Sequence, residues 1–230
     1  MEVFSLLNPD IVALILTLKL ALTTCVCLAF IGTPIAYFLA FSSGKLNPII
    51  ESIITLPLVL PPTVIGFYLI VFFSPDTMLG NFFILVTGEQ LIFSFYGLVF
   101  ASIIYSLPFW VQPLQSSFEK VGVKTIQTAN TLGAGHFDTF FNIILPLCRR
   151  GLLTSFILSF AHTMGEFGIV LMVGGGIHGK TKVLAISIYD HVEQLSFGKA
   201  HYLAGGMLLL SFIILLTLYI SNKNISMRVK

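Results

Sequence analysis

Long, uninterrupted apolar runs dominate the pattern of hydrophobic and polar positions along the chain. A helix needs about 20 apolar residues to cross a bilayer. Continuous runs favour helices over barrel strands, in which apolar and polar residues would alternate. We therefore predict an all-α, polytopic transmembrane helix bundle that forms a single domain over residues 1–230. Five runs are long enough to be full spans: 11–41, 48–73, 91–111, 151–173 and 202–221.

A shorter apolar stretch at 183–189 is followed closely by Asp190, His191 and Glu193. It is too short to cross and fits a sixth, re-entrant or interfacial helix, which membranes tolerate only where protein covers its ends. Three consecutive glycines at 174–176 precede it and predict a turn. They lack the Lys-Ser/Thr ending of a phosphate-binding loop, so we expect no nucleotide site there.

Composition supports lipid as the solvent, since 56% of the residues are hydrophobic and only 10% are charged. A soluble domain carries about 25% charged residues. The net charge of +2 is too small to indicate a nucleic-acid partner. The first apolar run lacks a basic region and a cleavage site, so we expect it to remain as a membrane anchor.

Catalytic and metal-binding patterns are missing from the sequence. The three cysteines lie in or beside apolar runs, where inert thiols are expected, and the five histidines form no zinc motif. There is no Gly-x-Ser-x-Gly motif and no pair of intramembrane aspartates. We predict no catalytic residue, no metal and no cofactor bound by this chain, and the alternative of an intramembrane enzyme finds no support.

The basic residues predict orientation, because loops on the cytoplasmic side carry an excess of Lys and Arg. With five spans, three lysines fall on one side: Lys180, Lys182 and Lys199. Eight basic residues fall on the other: Lys45, Lys120, Lys124, Arg149, Arg150, Lys223, Arg228 and Lys230. This asymmetry predicts a cytoplasmic C-terminus and an external N-terminus.

Three features interrupt the apolar runs. Lys19 lies in the first run, where an ammonium that extends to the interface is favoured over a buried anion site. Pro57, Pro61 and Pro62 lie in the second run, and either a kinked packing helix or a broken helix that lines a pathway explains them. Glu166 is the acidic residue of the fourth run, and we expect it to make a structural hydrogen bond or to lie near an outer gate.

The segment 116–150 is polar overall but keeps large apolar residues. Leu132, Phe137 and Phe141 follow one another at steps of five and four residues, with a Gly-Ala-Gly bend at 133–135. A cytoplasmic loop has no need of exposed apolar side chains. Two interpretations follow: a short helix that docks into a groove of another protein, or a helix folded back on the chain's own membrane domain.

This segment resembles the coupling motif of binding-protein-dependent ABC importer permeases. That motif reads Glu-Ala-Ala, three residues, Gly, nine residues and Ile-x-Leu-Pro. Here residues 127–129 are Gln-Thr-Ala, Gly133 follows after three residues, and 143–146 read Ile-Ile-Leu-Pro. Gln127 and Thr128 depart from the motif, whereas the spacing agrees. The resemblance implies that 116–150 docks into a separate cytoplasmic ATPase subunit, which binds ATP and Mg²⁺. The implied coupling residues are Gln127, Ala129, Gly133, Ala134, His136, Phe137, Asp138 and Pro146.

Other segments, at 56–66, 165–168, 176–181 and 188–189, are similar to molybdate permeases. That likeness implies a permease of a bacterial or archaeal inner membrane for molybdate, or for the related oxyanions tungstate and sulfate. It also implies a periplasmic or extracellular oxyanion-binding protein as partner. Hydroxyl groups and glycines suit a weakly binding anion path, although small residues also serve helix packing. The pathway or gate candidates are Pro61, Pro62, Thr63, Gly66, Ser159, Gly165, Glu166 and Phe167.

Assembly follows from the span count. Five spans cannot enclose an oxyanion pathway around a packed core, and one docking segment per chain matches one groove of a dimeric ATPase. We therefore predict a two-fold homodimer. The remaining alternative, a secondary transporter with inverted repeats, requires broken helices in both halves, and only one half has the proline break.

Overall fold

The computed structural model of the protein describes residues 8–227, and the side chains of residues 8–220. Within these limits the fold is helical, without a strand, which confirms the predicted class. Helix α1 nearly coincides with the first apolar run, and α2 and α3 together cover the second. The elements are α1 (Pro9–Phe41), α2 (Asn47–Val59), α3 (Pro62–Phe73), α4 (Met78–Thr87), α5 (Phe95–Thr131), α6 (His136–Asp138), a π-helical stretch (Thr139–Ile144), α7 (Leu145–Leu147), α8 (Arg149–Gly165), α9 (Gly168–Gly174), α10 (Leu184–Glu193) and α11 (Phe197–Met227).

Helices α1, α5 and α8 form the core, and glycines allow them to approach closely. A Cβ atom on Gly32 of α1 would lie 2.6 Å from Cδ1 of Trp110 in α5. The buried Trp110 indole donates to Oγ1 of Thr33 at 3.1 Å. A Cβ on Gly151 of α8 would lie 2.3 Å from Cβ of Ser117 in α5. Larger residues at either glycine would force these helices apart.

Among residues 8–227, three helices are long and apolar enough to cross a membrane alone: α1, α5 and α11. Two bent pairs reach that length together, α2 with α3 at 112° and His136–Leu147 with α8 at 73°. Up to five spans result when each bent pair is one span, which agrees with the expected number. The boundaries differ from the prediction, because α5 continues past its apolar run to Thr131 and the fourth run divides between α8 and α9.

The short α10 is present where the weak apolar stretch predicted a helix, and polar contacts attach it to α1. The Asp10 carboxylate accepts hydrogen bonds from the Ser187 hydroxyl at 2.6 Å and from Nε2 of His191 at 3.1 Å. The Leu184 backbone N–H donates to Oγ1 of Thr17 at 2.8 Å. These contacts satisfy polar groups at both ends of α10, as an interfacial helix requires.

The outer surface is apolar. Along the most apolar stretch of α11, only 6% of the residues are buried within the chain. Large side chains along this helix, among them Leu208, Phe212 and Tyr219, are exposed. In a soluble monomer such a surface would be unusual, so lipid or another protein chain must cover it.

Candidate functional site: a coupling face and a paired helix break

A tight turn follows the end of α5, within the segment 116–150 that the sequence predicts to dock on a partner. The carbonyl of Ala129 accepts from the backbone N–H groups of Leu132 and Ala134 at 3.1 and 3.0 Å. Gly133 has a φ of +87°, a left-handed conformation that other residues adopt at a cost. The glycine therefore allows the chain to reverse and start α6 at His136.

Three large apolar side chains of this segment face away from the protein. Leu132 is 83% exposed, Phe137 is 82% exposed and Phe141 is 57% exposed. We call these three residues the coupling face. They are the apolar residues that the sequence singled out, and their exposure leaves an apolar surface that a partner groove would cover.

The opposite side of the same segment packs on the core. The Phe140 ring lies 5.3 Å from Tyr37 and 6.4 Å from Phe118, measured between ring centroids. Ile144 and Cys148 are fully buried beside them. The two interpretations of the segment thus describe its two sides, since one side folds back on the membrane domain and the other remains free.

Two helix breaks meet at a second location. The first lies between α2 and α3 at Leu60 and Pro61, and the second lies between α8 and α9 at Glu166 and Phe167. We call residues 60–63 and 165–168 together the paired break. A Cβ on Gly168 would lie 2.7 Å from Cβ of Pro62 across this contact.

The contact between the two breaks continues along α3 and α9. A Cβ on Gly66 would lie 2.8 Å from Cβ of Met172. Each glycine thus removes a side chain where two backbones approach closely, and α3 and α9 are interlocked.

Glu166 caps α9 from inside the paired break. Its side chain is 8% exposed, and Oε1 accepts a hydrogen bond from the backbone N–H of Ile169 at 3.1 Å. A helix N-terminus favours such an acceptor because its first N–H groups have no partner within the helix. The structure therefore gives Glu166 the structural hydrogen bond that the sequence suggested as one option.

Phe167 is half-buried and packs against α10. Its ring centroid lies 4.9 Å from that of Tyr189. The paired break is therefore connected through one aromatic contact to α10, which Asp10 attaches to the start of α1.

A family model agrees with this architecture along most of the chain. Residues 32–229 match the binding-protein-dependent transport system inner membrane component. The chain belongs to this family of transporter permeases. It is accordingly a multi-pass inner-membrane protein and a transport component rather than an enzyme.

Two curated relatives show how far the similarity extends. The molybdenum transport system permease protein ModB of Azotobacter vinelandii is 50% identical over 214 residues, which cover 93% of this chain and 95% of the relative. The protein of the same name from Escherichia coli K12 is 32% identical over 188 residues, which cover 82% of each chain.

Solved structures share the fold. An amino acid ABC transporter crystallised with histidines matches with a TM-score of 0.61 and 17% identity, over 94% of both chains. A bacterial alginate ABC transporter in complex with a pentasaccharide-bound periplasmic protein matches with a TM-score of 0.64 and 17% identity, over 96% of this permease and 80% of that chain.

The coupling residues named from sequence form one continuous segment of the permease. Ala129 is buried and Ala134 is half-buried. Asp138 accepts a hydrogen bond from Nδ2 of Asn142 at 2.5 Å. The others are exposed: Gln127, Gly133, His136, Phe137, Asp138 and Pro146.

The pathway candidates separate into two groups. Ser159, Gly66 and Glu166 are buried within one permease chain, and Pro62 and Phe167 are half-buried. Pro61, Thr63 and Gly165 are exposed. The exposed group is available to a pathway or to a second chain, whereas Ser159 lies within the packed interior of this chain.

Sequence analysis missed several polar contacts of the permease. Ser106 lies 3.0 Å from Nδ1 of His162 and 2.9 Å from Oγ1 of Thr163. Nε2 of Gln115 donates to Glu51 in α2 at 2.8 Å, across a helix contact. These pairs are more than 50 positions apart in sequence, and no local pattern signals them.

Proposed function

We propose that this permease forms the translocation pathway of an importer for molybdate or a related tetrahedral oxyanion. The observation that carries the proposal is the 50% identity to the Azotobacter permease over 93% of this chain. A match over 93% of this chain includes both the coupling segment and the paired break. The similarity of the sequence to molybdate permeases at 56–66 and 165–168 supports the same substrate class.

The coupling face supports a separate ATPase as the source of energy. It consists of exposed apolar residues on a segment whose other side is anchored in the core. In this proposal a cytoplasmic ATPase subunit buries that face, binds ATP and Mg²⁺, and pulls on the permease. The excess of basic residues at 116–150 supports a cytoplasmic position for the segment and for the C-terminus.

A second copy of the chain completes the pathway in this proposal. One chain supplies one coupling face, and its outer surface on α11 is apolar and poorly covered. A two-fold homodimer presents two faces to a dimeric ATPase and encloses a path on its axis. An external oxyanion-binding protein would deliver the substrate.

Reconstitution tests the proposal. Purified permease, its ATPase and its oxyanion-binding protein are placed in liposomes, and uptake of radiolabelled molybdate is measured with ATP on the ATPase side. We expect uptake that requires all three components and that tungstate inhibits more strongly than phosphate. Uptake without the ATPase, or saturable transport of an unrelated amino acid or sugar instead of molybdate, would refute it.

A further inference from the structure

An open cavity with polar and apolar walls lies between the second half of α5 and the start of α8. Its volume is about 670 Å³. The residues that line it carry two cationic groups and four hydroxyls, and none of its lining residues is acidic. The polar side chains are Ser116, Ser117, Lys120, Thr125, Arg150 and Thr154.

The two cationic groups have no acidic partner among the described side chains. The salt bridges found there join Lys182 to Asp190 and His191 to Asp10, on other helices. Arg150 is half-buried, and Lys120 is exposed. A partly buried guanidinium without a counter-charge carries a desolvation cost that a bound anion relieves. Its planar fork fits the oxygens of a tetrahedral anion.

Packing places the hydroxyl groups beside these charges. Because residue 151 is glycine, the first turn of α8 lies against Ser117 in α5. Thr125 and Thr154 donate to carbonyls of their own helices, at 2.7 and 2.9 Å. Ser116 and Ser117 make no side-chain hydroxyl hydrogen bond to another described residue, so both can donate to an anion in the cavity.

We propose that this cavity is a tetrahedral oxyanion site, separate from the paired break, in which Arg150 and Lys120 bind the anion and the serine hydroxyls orient it. Two sources supply such a group, a free oxyanion such as molybdate and the phosphate of a membrane lipid. The choice of molybdate as a probe rests on the proposed function. The site itself rests on the cavity and its unpaired charges.

The binding test uses the assembled permease–ATPase complex in nanodiscs of a zwitterionic lipid, without the external binding protein. Equilibrium binding of radiolabelled molybdate is measured for the wild type, Arg150→Gln and Lys120→Gln. Arg149→Gln is the matched control, since Arg149 is the adjacent residue, is exposed and does not line the cavity. Lys120→Gln is the variant expected to fold even if Arg150→Gln does not, because an exposed side chain contributes little to the core.

We expect Arg150→Gln and Lys120→Gln each to weaken binding about tenfold or more, as is usual for the loss of a charge-assisted contact. Arg149→Gln should change it less than about twofold, since exposed charges at a distance are screened. Equal losses in all three variants, or no loss in Arg150→Gln, would overturn the proposal for a free oxyanion.

A separate experiment tests whether the phosphate of a membrane lipid occupies the site. Nanodiscs that contain phosphatidylglycerol are compared with zwitterionic ones, and lipid retained by the detergent-extracted complex is measured by native mass spectrometry. Retention of phosphatidylglycerol that falls with Arg150→Gln but not with Arg149→Gln supports the site with a lipid phosphate as occupant. If neither molybdate nor this lipid depends on Arg150, the site does not exist.

Uptake by the wild-type complex separates this proposal from the proposed function. Binding that depends on Arg150 without molybdate uptake would refute the transport proposal and leave the site intact. Normal uptake, together with molybdate binding and lipid retention that are both independent of Arg150, would refute the site alone.

Discussion

The coupling face supports a quantitative prediction for Phe137→Ala. The side chain is 82% exposed in the permease, so a partner groove that covers it buries nearly the whole ring. Full burial of a Phe side chain stabilises by about 1.5–3 kcal/mol. Removing it should therefore weaken ATPase binding by about 10- to 150-fold per coupling face. The permease itself should keep its stability, because the ring contributes little to its own core.

Phe140→Ala is the matched control. This ring lies three residues further on but packs on Tyr37 and Phe118 within the permease. Its loss should leave a cavity and destabilise the permease by about 2 kcal/mol, less than the 3–5 kcal/mol of a fully buried Phe. The two variants thus make opposite predictions: Phe137→Ala affects association, and Phe140→Ala affects folding.

Affinity for the ATPase and stability of the permease are measurable on one set of samples. Affinity for the ATPase is titrated by fluorescence with permease in nanodiscs, and stability is followed as the thermal midpoint of the same samples. ATP hydrolysis that proceeds without uptake would be a further sign of lost coupling. The reasoning fails if Phe137→Ala binds the ATPase with wild-type affinity, or if it lowers the thermal midpoint as much as Phe140→Ala does.

The paired break supports two further predictions. Gly168→Val should lower the thermal midpoint of the permease, because the new Cβ would lie 2.7 Å from Pro62 at the start of α3. We expect a loss of about 1–3 kcal/mol in the free energy of unfolding. Gly165→Val is the control and should lower the midpoint much less, since a Cβ there would have no atom within 4 Å. Glu166→Ala should lower the free energy of unfolding by about 1–3 kcal/mol, because it leaves the backbone N–H of Ile169 without an acceptor. Glu166→Gln keeps an acceptor oxygen and should retain most of that stability. Both are measured by the same thermal unfolding assay.

Much of the fold was predictable from sequence because lipid imposes a simple rule on composition. An apolar run of sufficient length must be a helix, and the five runs accordingly appear as helices, the second and the fourth each divided between two consecutive helices. The turn at 174–176 was predictable for a local reason. Gly175 and Gly176 adopt φ values of +66° and +65°, which few other residues tolerate.

The coupling face was predictable for a different reason. A polar segment that keeps Leu132, Phe137 and Phe141 is unusual for a loop, and the structure shows all three side chains exposed. Their docking to an ATPase stays a prediction. The anchoring of the same segment through Phe140 was not predictable, because it depends on a contact with Tyr37, more than 100 positions away.

The paired break shows where sequence reasoning was insufficient. Prolines signalled the first break, but their number does not specify a bend of 112°. The second break contains no proline, and Glu166 holds it by accepting a hydrogen bond from the start of α9. Only one half of the chain has a proline break, as the sequence indicates, but the structure shows that the other half also contains a broken helix. The likeness to permeases, not the number of broken helices, decides against a secondary transporter.

Helix α8 joins the two parts of the candidate site. It begins at Arg149, directly after the segment whose underside is anchored by Ile144 and Cys148, and it ends at Gly165 in the paired break. A helix of 17 residues spans about 25 Å at 1.5 Å per residue. Its contacts with α1 and α5 are close, as the packing of Gly151 on Ser117 shows, and such packing shifts between discrete arrangements rather than bending. We therefore expect a displacement of the coupling face to reach the paired break through α8 as a rigid-body movement, because only Cys148 separates α7 from α8.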